Sequence, residues 1–353
     1  MKSFKELTIP IFQELAVIAS YNNRLPTNTD KTAYIFLYPD YGNIGDLAIG
    51  YAQIQYLKQK LTNYKIISIN VSETYKYIAH IKKTIKTNDL IFITGGGNFG
   101  DLYPKADYGR LFIAKSFPNN KICSLPQTIY FTNTNYGQRR LKINKKIISE
   151  HKEFTIFTRE NVSFDSACSY FNNEVHLTPD IVFSLLNDCR NITRNVRDKI
   201  IFTIRADGEK FVSEYIVTSL ANCLPDNKII FRDTIINQEY YSNKYNQDYI
   251  NSILNDYRSA KIVITDRLHG MIFAAITGTP CIVLPNANHK ISATYNTWLK
   301  QSNYIIFLEK SNVNDFRLAI HSLLKLKNNN YKKISLPFTE LDSYLGNYNR
   351  TLS

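Results

Sequence analysis

The sequence predicts an α/β protein built from two doubly wound domains. Strand-like apolar runs alternate with helix-like segments along most of the chain, and the alternation starts afresh after a polar stretch at residues 187–195. Such alternation is typical of parallel sheets covered by helices on both faces. The length of 353 residues also exceeds the size at which a single hydrophobic core usually stops growing, so two domains are expected.

The apolar runs also place the individual strands. Strands are predicted at 33–37, 65–69, 90–94, 121–124, 154–158 and 175–177, and then at 199–204, 227–232, 261–265, 281–284 and 305–307. Residues 187–195 lose periodicity, so we place the linker there. The predicted domains are therefore 1–190 and 191–330, followed by a C-terminal tail, 331–353, that contains an amphipathic segment at 341–348.

Cysteine usage and hydropathy predict a cytoplasmic protein. The five cysteines, at 123, 168, 189, 223 and 281, form no C-x-x-C pair and suit a reducing compartment, so we interpret all five as structural. No uninterrupted apolar stretch of about 18 residues and no secretory signal is visible in the sequence. The sequence therefore predicts neither secretion nor a membrane span.

The formal net charge of +13 has two interpretations. Basic clusters such as 139–146 are either solvated helix faces or surfaces that attract an anionic membrane or an anionic substrate. In the second case the protein would lie peripherally at the inner face of the cell membrane. Nucleic acid is not an expected partner because no recognised binding motif accompanies the clusters. No metal is expected, since the six histidines lack the spacing of a zinc site.

The most informative segment is the turn at 265–270, which reads Thr-Asp-Arg-Leu-His-Gly. It follows a predicted strand and opens an apolar helix, and a helix N-terminus with a guanidinium beside it is suited to a phosphate or carboxylate. Arg267 is the predicted anion ligand, and His269 can bind phosphate or donate a proton near neutral pH. Asp266, Leu268 and Gly270 complete the turn and are predicted to bind the substrate. A His269 that only satisfies the helix end is the alternative interpretation.

Two upstream turns carry glycines with short polar side chains. They read Asn-Ile-Gly-Asp at 43–46 and Gly-Gly-Gly-Asn-Phe-Gly-Asp at 95–101. Both follow predicted strands, and open α/β sheets bind ligands at the carboxyl ends of their strands. Asn and Asp suit sugar hydroxyls, although in glycine turns they also hydrogen-bond their own backbone. Neither a G-x-G-x-x-G nor a P-loop pattern is present, so dinucleotide and P-loop sites are not predicted.

These motifs, in this order, are those of a known family. The turns at 43–46, 95–101 and 267–270, with Leu-Pro-Gln at 125–127, resemble the polysaccharide pyruvyl transferase family. Arg159-Glu160 and Pro179-Asp180 are further family-like pieces. The resemblance implies a GT-B-like layout, in which two doubly wound, Rossmann-like domains face each other across a cleft. By the same analogy the tail 331–353 packs back on the first domain.

The resemblance also implies a reaction. The family transfers the pyruvyl group of phosphoenolpyruvate onto two hydroxyls of one sugar, which gives a cyclic ketal and releases phosphate. The expected acceptor is a sugar of a cell-surface polysaccharide or its lipid-linked oligosaccharide precursor. Phosphoenolpyruvate is a substrate, and no cofactor is expected. An acid must protonate the methylene carbon, and a base must take a proton from the attacking hydroxyl.

The roles are assigned by domain. The donor site is expected in the second domain, at Arg267 and His269 with Arg205 and Lys290 in support. The residues before Lys290 depart from the family pattern. The acceptor site is expected in the first domain, with Asp46 or Asp101 as the base. Its predicted members are Asn43, Gly45, Asp46, Gly95, Gly96, Gly97, Asn98, Asp101 and Gln127.

Two further hypotheses compete with pyruvyl transfer. The first is a GT-B glycosyltransferase with a nucleotide-sugar donor, which would need a ribose-binding acid and a base-binding pocket in the second domain. The second is a non-catalytic binding module that retains the fold. The presence of both Arg267 and His269 argues against the binding module.

Overall fold

The computed structural model describes residues 25, 31–186, 197–205, 213–222, 224, 228–237, 239–286, 289–310, 313–326, 330–332 and 334–349. The predicted linker at 187–195, Cys189 and Cys223 lie outside these residues. By their contacts the described residues form two units. The first lies within Met1–Asp40, Ile49–Ile181 and Pro337–Ser353, and the second within Tyr41–Ala48 and Val182–Leu336.

A strand is found at each predicted position, and one more was not predicted. The strands are β1 Lys31–Tyr38, β2 Tyr64–Asn70, β3 Leu90–Ile93, β4 Gly96–Gly100, β5 Lys121–Tyr130, β6 Phe154–Thr158, β7 Val175–Leu177, β8 Lys199–Thr203, β9 Lys228–Phe231, β10 Ala260–Thr265, β11 Cys281–Val283 and β12 Ile305–Phe307.

Helices connect these strands. They are α1 Ile44–Lys60, α2 Thr74–Thr84, α3 Pro104–Ser116, α4 Asn135–Ser149, α5 Asn161–Tyr170, α6 Glu214–Asn222, α7 Asn246–Arg258, α8 Leu268–Thr277, α9 Lys290–Thr294, α10 Val313–Lys325 and α11 Thr339–Asn349. A π-helical turn, Tyr295–Leu299, continues α9. Among the described residues, no helix is long and apolar enough to cross a membrane.

The first unit is a parallel sheet in the order β2-β1-β3-β5-β6-β7, with β4 paired to β5 outside this path. Its core is formed by apolar side chains such as Phe36, Ile91, Ile122 and Ile156. Helix α11 belongs to this unit: His176 Nδ1 lies 3.0 Å from Glu340 Oε2. The doubly wound order predicted for this half of the chain is confirmed.

The unpredicted strand β4 is formed by the glycine-rich segment that the sequence suggested as a turn. Gly96 and Gly100 have φ values of 127° and 147°, which residues other than glycine rarely adopt. A Cβ at Gly100 would lie 1.7 Å from the carbonyl oxygen of Tyr130. Glycine therefore allows this segment to pair with the C-terminal half of β5, where Gly96 pairs with Gln127.

The second unit is a parallel sheet in the order β12-β11-β10-β8-β9. The order reverses between β8 and β10, and such a switch point is where open α/β sheets bind ligands, outside the carboxyl ends of the strands. Those ends are Thr203 and Thr265, which precede Arg205 and the 265–270 turn. This topology places the predicted donor residues at the expected edge of the sheet.

The three described cysteines carry free thiols. Cys123 and Cys281 are buried in the sheets, and burial raises the pKa of each thiol. Cys168 is exposed on α5. The two buried cysteines thus contribute to packing, as expected from the sequence.

A buried charge cluster joins α3 to α4. Asp107 is fully buried, and its Oδ2 accepts a hydrogen bond of 2.7 Å from Arg140 Nε. Its Oδ1 accepts one of 2.8 Å from Asn144 Nδ2. Burial raises the pKa of Asp107, and the charge of Arg140 opposes this shift. Arg140 lies in the basic cluster 139–146 and is 2% exposed, so it does not belong to a solvated face.

We expect Asp107→Ala to lower the free energy of unfolding by about 3–5 kcal/mol, because it leaves Arg140 buried without its carboxylate. Urea unfolding followed by circular dichroism measures this change. Asp165→Ala, on the exposed face of α5, is the matched control and should change stability by less than about 0.5 kcal/mol. Equal effects of the two substitutions would contradict a stabilising role for the cluster.

Candidate functional site

The turn after β10 is fixed by Thr265. Its Oγ1 donates a hydrogen bond of 2.7 Å to the carbonyl oxygen of Thr203, at the end of β8, and accepts one of 3.0 Å from the N–H of Arg267. A Cβ at Gly270 would lie 2.3 Å from Oγ1 of Thr265. Glycine at 270 therefore allows the first turn of α8 to pack directly on Thr265.

Asp266 links the two strand ends at the switch point. It is fully buried, and its Oδ1 accepts a hydrogen bond of 2.8 Å from the N–H of Arg205. Its Oδ2 is buried and has no hydrogen-bond partner among the described residues. Burial raises the pKa of the Asp266 carboxyl, an effect that the N–H of Arg205 and the charges of Arg267 and Arg205 partly offset.

Arg267 is buried and pairs with the carboxylate of Asp233, which was not predicted as a site residue. Its Nη2 lies 2.8 Å from Asp233 Oδ1, and Asp233 is partly exposed. The same oxygen accepts hydrogen bonds from the N–H groups of Thr234 and Ile235, at 2.6 and 3.1 Å. Asp233 follows β9, the neighbour of β8. Its position at the carboxyl end of a strand could have predicted it as a site residue.

The turn at 43–46 packs on the segment after Asp233. The N–H of Ile44 donates to the carbonyl oxygen of Thr234 at 2.8 Å, and the N–H of Ile236 donates to that of Gly42 at 2.6 Å. The sequence predicts this turn in the first domain, together with 95–101. The structure places residues 41–48 in the second unit, because these backbone hydrogen bonds hold them there.

His269 contacts the same turn. A Cβ at Gly45 would lie 2.4 Å from Nδ1 and 2.7 Å from Cγ of His269, so α1 begins against the imidazole. Asn43 caps this helix: its Oδ1 accepts hydrogen bonds from the N–H groups of Gly45 and Asp46, at 3.0 and 3.4 Å. Asp46 is half-buried in the first turn of α1.

The structure thus brings together Asp266, Arg267 and His269 with Gly45 and the backbone of Arg205. Leu268 and Gly270 are buried in α8 and support the turn. Lys290 is buried at the first position of α9, in the segment that follows β11. Because β11 is a parallel neighbour of β10, this segment starts from the same edge of the sheet.

The glycine-rich segment of the first unit is tied to α1 and to β5 by buried amides. The N–H of Gly95 donates to Gln53 Oε1 at 3.4 Å, and Gln127 Nε2 donates to the carbonyl oxygen of Thr94. A Cβ at Gly95 would lie 2.8 Å from the carbonyl oxygen of Pro126. Gly95 and Gln127 therefore serve the pairing of β4 with β5, and Gly97 beside them is half-buried.

The two polar side chains of this segment have different partners. Asp101 accepts hydrogen bonds from Thr132 at both oxygens, from N–H at 2.7 Å and from Oγ1 at 2.5 Å. Asn98 is half-buried, and its Oδ1 accepts a hydrogen bond of 2.8 Å from Nη2 of the fully buried Arg110. The structure does not bring Asp101 or Asn98 together with the 43–46 turn in one unit. Arg110 was not predicted from the sequence, because it lies inside α3 and has no motif around it.

The family of this chain follows from its similarity to known proteins. The family model described as "Polysaccharide pyruvyl transferase" matches residues 43–289. The chain belongs to this family. The matched range contains all four motifs, including the turns that carry Gly45, Asn98 and Arg267. As a member of the polysaccharide pyruvyl transferase family, the protein is a transferase.

Individual relatives cover most of the chain. General stress protein 30 of Bacillus subtilis (strain 168) is 33% identical over 307 residues, which are 86% of this chain and 88% of that protein. Pyruvyl transferase 1 of Schizosaccharomyces pombe is 29% identical over 287 residues, 76% of this chain and 70% of that protein.

A solved structure supports the fold class. UDP-GlcNAc 2-epimerase of Methanocaldococcus jannaschii, in complex with UDP-GlcNAc and UDP, aligns with a TM-score of 0.50 and 14% identity over 86% of this chain and 94% of that one. At this identity the likeness concerns the fold alone. It agrees with the two doubly wound sheets and confirms the two-domain, Rossmann-like class of the GT-B type.

Asp266 should make stability depend on pH. The pKa of Asp266 is raised above its ordinary value of 3.8 in the folded state. Between pH 3.8 and the folded-state pKa, the folded protein therefore binds more protons than the unfolded chain. Stability contributed by this group therefore falls as pH rises through that window. Asp266→Asn keeps an oxygen for the N–H of Arg205 and cannot ionise. We expect the Tm of this variant, relative to wild type, to increase as the pH rises from about 4 through the folded-state pKa of Asp266. A Tm difference that stays constant or falls would contradict the raised pKa.

Gly45→Ala should displace His269. The added methyl group would lie within 2.9 Å of Nδ1, Cγ and Cβ of the His269 side chain, and overpacking of this kind costs about 1–3 kcal/mol. We expect a lower Tm and shifted imidazole NMR signals of His269. Gly346→Ala is the control: its Cβ meets nothing within 4 Å, and alanine should stabilise α11 by up to about 1 kcal/mol. Unchanged His269 signals in Gly45→Ala would show that the contact does not hold the ring.

Proposed function

We propose that the protein transfers the pyruvyl group of phosphoenolpyruvate to two hydroxyls of one sugar, forming a cyclic ketal. The acceptor in this proposal is a residue of a cell-surface polysaccharide or of its lipid-linked precursor, met at the cytoplasmic face of the membrane. Membership in the pyruvyl transferase family supports the transferred group. The net charge of +13 fits work at an anionic membrane surface.

The observation that carries the proposal is the buried Arg267 at the N-terminus of α8. Its guanidinium already pairs with a carboxylate, that of Asp233, and phosphoenolpyruvate offers a carboxylate and a phosphate. The helix N-terminus adds favourable dipole charge for an anion.

The reaction assigns a task to each neighbour. Protonation of the methylene carbon makes the central carbon electrophilic, the first sugar hydroxyl adds there, phosphate leaves, and the second hydroxyl closes the ketal. Of the two hydroxyl protons, one balances the proton now in the methyl group and the other leaves with phosphate. In our proposal His269 donates to the methylene carbon or holds the phosphate, and Arg267 binds the donor's charge. Arg205 and Lys290 add positive charge at the same sheet edge.

The base in this proposal is Asp46 rather than Asp101. Asp46 follows Gly45, which contacts His269, and it is half-buried. Both oxygens of Asp101 are engaged by Thr132, so this carboxylate is suited to holding a loop. We assign the acceptor sugar to the glycine-rich segment of the first unit, where Asn98 is the polar side chain that remains available.

A thermal-shift series tests the donor. Phosphoenolpyruvate at about 100 times its Kd should stabilise the protein by about 2.7 kcal/mol, whereas UDP-glucose and GDP-mannose should have little effect. Arg267→Ala should abolish this shift, because loss of a partly buried guanidinium–anion contact costs about 2–5 kcal/mol. His269→Ala should keep the shift and lose phosphate release.

Two exposed residues of α10 provide matched controls. Arg317→Ala and His321→Ala remove the same side chains far from the sheet edge in sequence and should leave both measurements unchanged. A shift with a nucleotide-sugar and none with phosphoenolpyruvate would move the assignment to a glycosyltransferase. Full phosphate release by His269→Ala would remove the imidazole from the mechanism.

A further inference from the structure

A buried cation lies behind the glycine-rich segment of the first unit. Arg110 of α3 is fully buried, with Nη2 2.8 Å from Asn98 Oδ1, Nη1 3.5 Å from the carbonyl oxygen of Asn98, and its guanidinium 4.1 Å from the centre of the Phe99 ring. Burial lowers the pKa of Arg110 to about 10, so it stays charged at neutral pH. All of these groups belong to one unit.

Stability alone does not account for this cation. Within the described part of the chain, no carboxylate lies within ion-pair distance of Arg110. The charge of Asp107, three residues earlier in α3, raises the pKa of Arg110, but the hydrogen bonds of this carboxylate go to Arg140 and Asn144. A buried charge without a hydrogen-bonded counter-charge is unfavourable, and an apolar side chain of similar size at such a place is commonly neutral or stabilising. The guanidinium therefore calls for a reason beyond packing.

Its direct polar contacts supply that reason. Arginine has five N–H donors and no acceptor, so only the carbonyl oxygen of the Asn98 amide can face it. The NH2 group of Asn98 must then point the other way, and it makes no hydrogen bond within the described residues. A positive charge behind the carbonyl oxygen polarises the amide and strengthens its N–H donors.

Other polar side chains at this segment form hydrogen bonds within the protein. Asp101 is held by Thr132, and the Gln127 Nε2 group donates to the backbone of Thr94. Asn98 is half-buried, and its NH2 group is a donor that a ligand at the segment can use. We propose that Arg110 is a positioning residue that fixes Asn98 as a hydrogen-bond donor to a hydroxyl oxygen of the acceptor sugar. This assignment rests on the proposed function, which places the sugar at this segment.

Asn98→Asp separates the two roles of the amide. The carboxylate retains an oxygen for Arg110 and gives the buried cation a counter-charge, so Tm should equal or exceed that of the wild type. It also replaces the outward N–H donors by an acceptor. We expect the acceptor KM to rise at least about tenfold, the size expected for one lost hydrogen bond with a repulsive oxygen in its place. The thermal shift with phosphoenolpyruvate should not change.

The assay uses methyl hexosides and polyprenyl-diphosphate-linked N-acetylhexosamines, and follows phosphate release from phosphoenolpyruvate with the best wild-type acceptor. Asn172→Asp, at an exposed position of the same unit, is the control for the change in charge. Arg110→Met should raise the acceptor KM as well, because it frees the Asn98 amide to rotate. Asn98→Asp carries the test if Arg110→Met does not fold.

The outcomes distinguish the inference from the proposed function. A wild-type protein that releases no phosphate with any of these acceptors refutes the proposed function and the inference with it. Wild-type release, together with an unchanged acceptor KM in Asn98→Asp, overturns the inference alone. A lost phosphoenolpyruvate shift in Asn98→Asp also overturns it, since Asn98 would then serve the donor.

Discussion

The site depends on the close approach of α1 to the imidazole of His269, which the missing Cβ of Gly45 allows. This approach closes a ring of contacts in the second unit. Arg267 holds Asp233, and Asp233 holds the N–H groups of the next two residues. That segment pairs with the backbone at 42–44, and the following residue, Gly45, meets His269. We expect that displacing one member shifts both the guanidinium and the imidazole, because they lie two residues apart on one turn.

Several residues of the family motifs hold the fold. Arg159 and Asp180 form a buried ion pair of 2.7 Å. Glu160 caps α5 through the N–H of Ser163 at 2.9 Å, and Asn43 caps α1 in the same manner. A motif in a single sequence therefore does not distinguish residues that hold the fold from residues that act on a substrate. The contacts separate them, because a side chain whose polar atoms are all engaged by the backbone has none left for a substrate.

The sequence was sufficient for the strands and for the turn at 265–270. Apolar periodicity is a local property, and a strand that ends in a glycine-containing turn before an apolar helix can be recognised within about 15 residues. The pairing of β4 with β5 could not be predicted this way, since it depends on positive φ at Gly96 and Gly100 and on the course of a distant strand. The same limit applies to the 43–46 turn, whose hydrogen-bond partners lie about 190 residues later in the chain, and to Asp233 and Arg110.

The two arginines of the candidate sites are arranged in opposite ways, and each arrangement fits the task proposed for it. Arg267 is paired with a partly exposed carboxylate, and an ion pair at such a boundary can exchange one anion for another because water is close by. Arg110 is fully enclosed and faces the neutral oxygens of one asparagine and an aromatic ring, so it has no anion to exchange. The proposed pyruvyl donor, which carries a carboxylate and a phosphate, suits the first arrangement. A sugar, which is uncharged and must be recognised by the direction of its hydroxyls, requires a fixed donor, and a buried cation holds an amide in one orientation.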